Sequence, residues 1–265
     1  MKKIFLILSV TLTFLSNAQT GNSNEVGTTN GSLSVSLTGA ATYTIPIAVP
    51  PGLNGVVPQI SLNYNSQGGN GLAGYGWNLA GLSQISRIPS TKFHDGISDP
   101  IDFDSFDRLA LDGQRLILKS GTYGAAGSVY ETETFSNVKI TAFSTYFLVQ
   151  YPDGSIAHYG NSTDSKSLTT WALTYWQNPQ GIRINYFYNL FNNNLNISNI
   201  KYGSVGTNQT LNEIAFVYKN RVRIEQGYIE GQNIMNTKIL SSINVKGSNI
   251  DYRNYLLEHS ITDLD

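Results

Sequence analysis

Glu131 and Glu133 flank a single threonine, and on a strand residues two apart point to the same side, so the pair could serve acid/base chemistry. Two carboxylates on one strand lie side by side, whereas glycoside hydrolysis needs them on either side of the scissile bond. The acid pair of an ADP-ribosyltransferase would also need a Ser-Thr-Ser strand, and the chain has no such tripeptide. Gly69-Asn70-Gly71-Leu72-Ala73-Gly74 has the spacing of a dinucleotide-binding loop. That chemistry requires a helix to start there, so that its amides face a pyrophosphate. Tyr75-Gly76-Trp77-Asn78-Leu79-Ala80-Gly81 follows instead, too rich in glycine to propagate a helix. The segment reads as a loop in which the backbone approaches a neighbour closely or takes a positive φ, with Trp77 as a buried anchor.

Metal and nucleophile chemistry fare no better. Asp102, Asp104 and Asp107 suggest a calcium loop, but an EF-hand needs glycine at its sixth position and glutamate at its twelfth, where this chain has Asp107 and Gly113. Such acids more often cap turns and pair with an arginine, for which Arg108 or Arg115 is available. His94, His158 and His259 have no ligand spacing, and there is no cysteine. Gly81-Leu82-Ser83-Gln84-Ile85 lacks the second glycine of a nucleophile elbow. We therefore expect no catalysis, no cofactor and no metal. Trp171, Trp176 and a row of tyrosines could form a sugar-stacking face, which makes a carbohydrate-binding module the alternative expectation; a hydrolase using Glu131 or Glu133 comes after it.

The elements that must position these residues are strands. The 265 residues are 40% hydrophobic and only 13% charged, with 16 Tyr, 25 Gly and 27 Asn. Aromatic content of 11% argues against disorder, and a formal net charge of −1 argues against a nucleic-acid binder driven by phosphate contacts. Strand-like runs cover 32–37, 41–49, 57–64, 115–119, 129–135, 146–151, 155–159, 169–176, 182–188, 197–202, 213–218, 222–228 and 239–245. Alternation is clean where Ile182, Ile184, Tyr186 and Tyr188 share one face and Arg183, Asn185 and Phe187 the other. Pro51-Gly52, Asp112-Gly113, Asp153-Gly154, Asn178 to Gly181 and Asn192-Asn193-Asn194 supply turns. No amphipathic helix of useful length is present, so the class is all-β: extended antiparallel sheets of many short strands. Tyr186, Tyr202 and Tyr218 each close a run at equal spacing, as a repeating two-strand unit would.

The N-terminus reads as an export signal: Lys2 and Lys3, an apolar run from Ile4 to Leu15, then Ser16-Asn17-Ala18. Cleavage after Ala18 would release a secreted, extracellular chain, and without cysteine it carries no lipid anchor. The apolar run is shorter than the ~20 residues that span a bilayer as a helix, and no transmembrane helix is expected elsewhere. Residues 19–31 form a flexible lead-in, and 32–265 a single β domain with an internal break near 88–100, where Pro89, Gly96 and Pro100 interrupt the pattern.

Several motifs occur together in a fixed order. Gly39 to Gly52, ending Ile45-Pro46-Ile47-Ala48-Val49-Pro50-Pro51-Gly52, is followed by Pro58 to Ser66, then Gly69 to Trp77 and Ile85-Ser86-Arg87. Further on come Phe106-Asp107-Arg108 to Leu116, Tyr130 to Glu133, Tyr151-Pro152-Asp153-Gly154 and Tyr159-Gly160. This order resembles the SpvB/TcaC-type N-terminal domain of bacterial insecticidal toxin-complex B components, of the SpvB virulence protein and of secreted proteins with Rhs/YD repeats. Asn178 to Tyr188 is similar to the Gly-x-x-x-x-Tyr-x-Tyr pattern of YD repeats. The resemblance implies a strand-built wall of a hollow β-shell that encloses a toxic C-terminal segment, with enzyme activity belonging to that segment. It also implies that this chain is the first part of a larger shell or a short secreted paralogue, partnered by the rest of a Rhs/YD shell or a toxin-complex subunit. Pro50, Pro51, Gly52, Tyr64, Gly71, Gly74, Gly76, Trp77, Arg87, Asp107, Arg108, Asp112, Gly113 and Arg115 carry the resemblance, and their expected role is structural. Trp77 and its glycines fix an early turn, while Asp107, Arg108 and Arg115 form one buried or half-buried polar lock. An edge strand of such a sheet invites self-association.

Overall fold

A computed structural model describes residues 29–260; the expected export signal and most of the lead-in lie outside the described residues. The chain is built from antiparallel strands. β1 (Ser32–Val35), β2 (Ala41–Pro46), β3 (Ser61–Asn65), β4 (Asn70–Gly71), β5 (Gly74–Tyr75) and β6 (Trp77–Ala80) form a six-stranded sheet in the order β1-β2-β3-β6-β5-β4. A second, larger sheet starts with β7 (Gln84–Ile88), β8 (Arg108–Leu111), β9 (Gln114–Ser120), β10 (Val129–Thr132), β11 (Lys139–Ala142), β12 (Phe147–Gln150) and β13 (Ile156–Tyr159). It continues through β14 (Thr170–Gln177), β15 (Ile182–Phe191), β16 (Asn194–Val205), β17 (Asn212–Ile229), β18 (Gln232–Gly247) and β19 (Ile250–Leu256). One helical turn, α1 (Lys92–Asp95), sits in the connection from β7 to β8. No helix among the described residues is long and apolar enough to cross a membrane.

The turns explain much of the composition. Asp112-Gly113, Asn192-Asn193, Glu230-Gly231 and Ser248-Asn249 each join consecutive strands with two residues at positive φ. That conformation suits the twist of a two-residue hairpin and favours Asn, Asp and Gly.

β14 organises the larger sheet. Its edge from Leu173 to Gln177 pairs with β13, while on the opposite edge Thr170–Ala172 pair with β7 and Tyr175–Gln177 pair with β15. The Leu173 amide donates to the Ser83 carbonyl, extending the β7 pairing to the point where β15 takes over. Strands β7 to β14 therefore close into an eight-stranded barrel, and β15 to β19 leave the same strand as an open sheet. Alternate residues along the barrel strands are buried: Tyr130 and Thr132, Ile140 and Ala142, Phe147 and Val149, Ala157 and Tyr159. Eight strands enclose just enough space for side chains to fill, so the barrel is a packed core rather than a channel. On β15, Ile182, Ile184, Tyr186 and Tyr188 face the core, as the alternation in the sequence predicts.

The six-stranded sheet packs on the open one. Ile47, Ile60 and Leu62 join the same buried cluster as Ile200, Ile214, Leu240 and Ile243. Pro50 and Pro51 have no amide hydrogen to give a ladder. Their carbonyls are held by side chains instead: the Tyr202 hydroxyl donates to Pro50 O at 2.8 Å and Asn212 Nδ2 to Pro51 O at 3.0 Å. The Leu240 amide donates to Leu72 O, and the Ala48 amide donates to the Tyr255 hydroxyl.

Because Tyr202 is fully buried, Tyr202→Phe leaves the Pro50 carbonyl without a donor. The expected cost is about 1–3 kcal/mol of unfolding free energy in urea titration, with the m-value unchanged. A loss below about 0.5 kcal/mol would show that this bond does not hold the two sheets together.

Candidate functional site

The connection from β7 to β8 gathers six charged side chains, Lys92, Asp95, Asp99, Asp102, Asp104 and Asp107. Thr91 caps α1, its side chain accepting from the His94 amide, and Gly96 closes the turn at a φ of 74°. This places Asp95 where its Oδ1 accepts from Arg108 Nε at 2.7 Å and its Oδ2 from both Arg115 Nη2 and the Thr91 amide. The Asp95 and Arg115 side chains are 8% and 7% exposed, so this is a buried ion triad with one carboxylate between two guanidiniums. Burial alone would raise the Asp95 pKa; the Thr91 amide and the two arginines outweigh it and hold the carboxyl at about 2.

Asp107 belongs to a different pair. Its Oδ2 accepts from Arg87 Nη1 at 2.8 Å and from the Phe103 amide, and its Oδ1 accepts from the Asp102 amide. The Arg87 guanidinium also lies 5.4 Å from the Trp171 ring centroid. The single lock expected from Asp107, Arg108 and Arg115 is therefore two locks, Arg87 with Asp107 and Asp95 with Arg108 and Arg115. Asp95 had a local signal, threonine four residues before an Asp-Gly pair, which is a cap at each end of one helical turn. The interruption near 88–100 is this connection between two barrel strands. Asp99, rather than Asp107, lies with Asp102 and Asp104, their carboxylate oxygens within 4.8 Å of one another.

The other sequence candidates separate. Glu131 pairs with Lys119 at 3.0 Å and Glu133 with His94 at 2.8 Å. In the glycine-rich loop, a Cβ on Gly71 would collide with the Trp77 carbonyl, and Gly76, at a φ of 76°, would meet the Tyr64 ring. Gly74 also has a positive φ, but a Cβ there would meet the His259 ring only at ordinary contact distance, and the Gly71 carbonyl accepts from Arg221. Trp77, expected as a buried anchor, is half-buried against the core: it tilts against Tyr64 at 5.3 Å and meets Tyr43 edge-on at 6.4 Å, leaving part of the ring at the surface. Gly52 packs against the Val56 backbone.

Asp112 and Gly113 form the β8–β9 turn, and Asp112 reaches across to β7. Its Oδ1 accepts from the Gln84 amide at 2.8 Å and its Oδ2 from Ser83 Oγ at 2.6 Å. Ser83 Oγ lies 2.8 Å from the Tyr159 hydroxyl, which lies 3.2 Å from the Tyr151 hydroxyl. Since the Ser83 proton goes to Asp112, Tyr159 donates to Ser83 and Tyr151 to Tyr159, so every proton in the chain points toward the carboxylate. Burial and the neighbouring Tyr151 push the Tyr159 phenol well above its ordinary range. No local pattern marks this chain, because its members come from separate strands and turns and are joined only when the barrel closes.

Comparison with known proteins places this fold. Residues 35–151 match the family model described as SpvB, Salmonella virulence plasmid 65kDa B protein. A TcdB2-TccC3 crystal structure superposes with a TM-score of 0.66 at 16% identity, over 84% of this chain and 14% of that one. The N-terminal domain of effector protein SpvB from Salmonella typhimurium strain LT2 superposes with a TM-score of 0.61 at 18% identity, covering 76% of this chain and 86% of that one. A Photorhabdus luminescens Tc holotoxin pore gives 0.63 at 17% identity, over 88% of this chain and 14% of that one. The chain thus spans most of the SpvB N-terminal domain but only 14% of the length of the toxin-complex chains. No curated protein matches it.

Asp95→Asn removes the shared charge between two largely buried arginines, for which an expected loss is about 3–5 kcal/mol. The Asp95 carboxyl is depressed in the fold, so its contribution is complete above the ordinary value of 3.8 and fades as pH falls toward about 2. Thermal melts of both proteins should differ by a constant amount near neutrality and converge below pH 4. A gap that persists unchanged to pH 2 would show that the Asp95 charge is not its source.

Proposed function

We propose that this chain, which carries an SpvB-type domain over residues 35–151, is a secreted, non-catalytic wall element of a toxin-complex-like or Rhs-like β-shell. In this reading it encloses or presents an effector whose activity resides in a separate segment, and its partner is the rest of such a shell or a toxin-complex subunit. The fold shared with TcdB2-TccC3 supports the reading, and one observation carries it. The larger sheet ends at β19, whose outer edge has no partner among the described residues.

That edge is suited to assembly. Ile250, Tyr252 and Leu256 are 72%, 53% and 71% exposed. The register sets Leu256 opposite Ser242 and Ser242 opposite Val217, so a Leu–Ser–Val row with exposed apolar ends crosses three strands around a half-buried serine. Phe187 and Val217 are also exposed on strands of this sheet. Unpaired backbone donors and acceptors beside exposed apolar side chains form a template for another strand, which natural edges usually block with charge, proline or a bulge. β19 has a register shift opposite Val245–Lys246, but no proline and few charges. Two buried ion clusters and a packed barrel suit a rigid wall, and an extracellular setting agrees with the export signal read from the sequence.

The mature chain is expected to self-associate through β19. Light scattering after size-exclusion chromatography should show an oligomer or aggregate for the wild type. The pair Tyr252→Lys and Leu256→Lys should give a monomer with an unchanged far-UV spectrum. A wild-type monomer at concentrations where the double variant is also monomeric would remove the edge from the reading.

A further inference from the structure

Where β7 and β15 part company on β14, the fold leaves a crevice of about 460 Å³. Ser83, immediately before β7, and Ile184 and Tyr186, on β15, line it together with Leu173 and Trp176 of β14. The crevice follows from the topology, since two strands diverging from one edge cannot fill the space between them. Its volume falls in the range of small-molecule sites, which are mostly apolar with a few convergent polar groups.

Those polar groups are set in a particular way. Asp112 and Tyr151 also line the crevice, as the two ends of the hydroxyl chain through Ser83 and Tyr159. Because each proton of that chain is directed toward Asp112, the Tyr151 oxygen presents lone pairs only, and the Asp112 carboxylate is an exposed acceptor without an ion pair among the described residues. Tyr186 supplies the opposite capacity. It is 6% exposed, yet its hydroxyl has no hydrogen-bond partner among the described residues. The other buried tyrosines do not share this condition. Tyr188 donates to Leu173 O, Tyr202 to Pro50 O, Tyr130 accepts from the Gly124 amide, and Tyr159 sits within the chain. The Tyr186 hydroxyl is not among the fully buried unpaired polar atoms of the described residues, so it reaches the crevice and keeps its proton for a partner from outside.

The remaining aromatic candidates are committed elsewhere. Trp171 is covered by Arg87 and meets Phe147 edge-on at 5.2 Å. Phe143, Tyr146, His158 and Tyr175 stack on one another, and Arg183 lies 3.8 Å from the Tyr175 centroid, so the faces within that row are occupied and Phe143, at its exposed end, lies outside the crevice lining. Of the two tryptophans of β14, Trp176, half-buried at the crevice, is the one with surface for a ligand there.

We propose that this crevice binds a neutral sugar. Its hydroxyls donate to Asp112 and Tyr151 and accept from Tyr186, and its C–H surface lies on Trp176. A polyol satisfies both kinds of hydrogen bond, whereas a quaternary ammonium ion neither donates nor accepts and would leave the Tyr186 proton unpaired.

The test is a glycan array of mono- to oligosaccharides probed with the mature chain, followed by calorimetric titration of any sugar that binds, with tetramethylammonium titrated in parallel. Saturable binding is expected, weakened at least about tenfold by Trp176→Ala and about three- to tenfold by Tyr186→Phe. The Tyr186→Phe protein should melt at the wild-type temperature, since the solvent-reaching hydroxyl it loses has no hydrogen-bond partner among the described residues, which keeps the test independent of misfolding. An array without binding, sugar binding that survives both substitutions, or saturable binding of tetramethylammonium in place of a sugar would each overturn the proposal.

Discussion

A strand has two edges, and β14 must serve three neighbours. β13 occupies one edge, and β7 and β15 divide the other. This division closes β7 to β14 into a barrel and launches β15 to β19 as an open sheet, so the two halves of the larger sheet share one backbone segment of eight residues. It also fixes where side chains can converge. The hydroxyl chain from Asp112 to Tyr151 crosses the seam, and the unpaired Tyr186 phenol lies on the first strand beyond it.

The rest of the fold braces that junction. The connection from β7 to β8 is nineteen residues between Ile88 and Arg108 and would be a floppy excursion without its charges. The Asp95 triad ties it to the starts of β8 and β9, and Arg87 with Asp107 ties it back to β7. Burying such groups is costly by itself, and the benefit is a defined geometry, because each guanidinium accepts few alternative partners. On the other side, the Pro50-Pro51 segment fastens the six-stranded sheet to the open one through two side chains more than a hundred and fifty residues away.

Local features of this architecture were legible in the sequence, and its closures were not. Period-two alternation placed Ile182, Ile184, Tyr186 and Tyr188 on one buried face, and Asn-Asn and Asp-Gly pairs marked hairpins because they tolerate positive φ. Tyr186, Tyr202 and Tyr218 sit on the adjacent strands β15, β16 and β17, one to each strand rather than one to each two-strand unit, and Tyr202 pairs with Ile184 and Asn212 rather than with another tyrosine. The strands Gln84–Ile88, Arg108–Leu111, Lys139–Ala142 and Ile250–Leu256 escaped notice, being short, interrupted by polar residues or flanked by charge. Glu213–Tyr218 and Val222–Tyr228 read as two strands but form one, β17, with a register shift after Asn220. Trp77 looked like a core residue because of its type, and only the packing of Tyr43 and Tyr64 shows how much of it stays outside. The pairing of β14 with β7, like the selection of Asp95 over Asp107 by two arginines, depends on contacts distant in sequence, where local patterning carries no information.

Native-state hydrogen exchange across β14 reads the sharing of that strand directly. If barrel and open sheet depend on it together, the amides of Ala172 to Trp176 should fall in the slowest class, and the buried strands β12 and β16 should exchange with the same opening free energy and the same denaturant dependence. Two distinct openings, with β14 following the barrel while β16 exchanges independently, would contradict it.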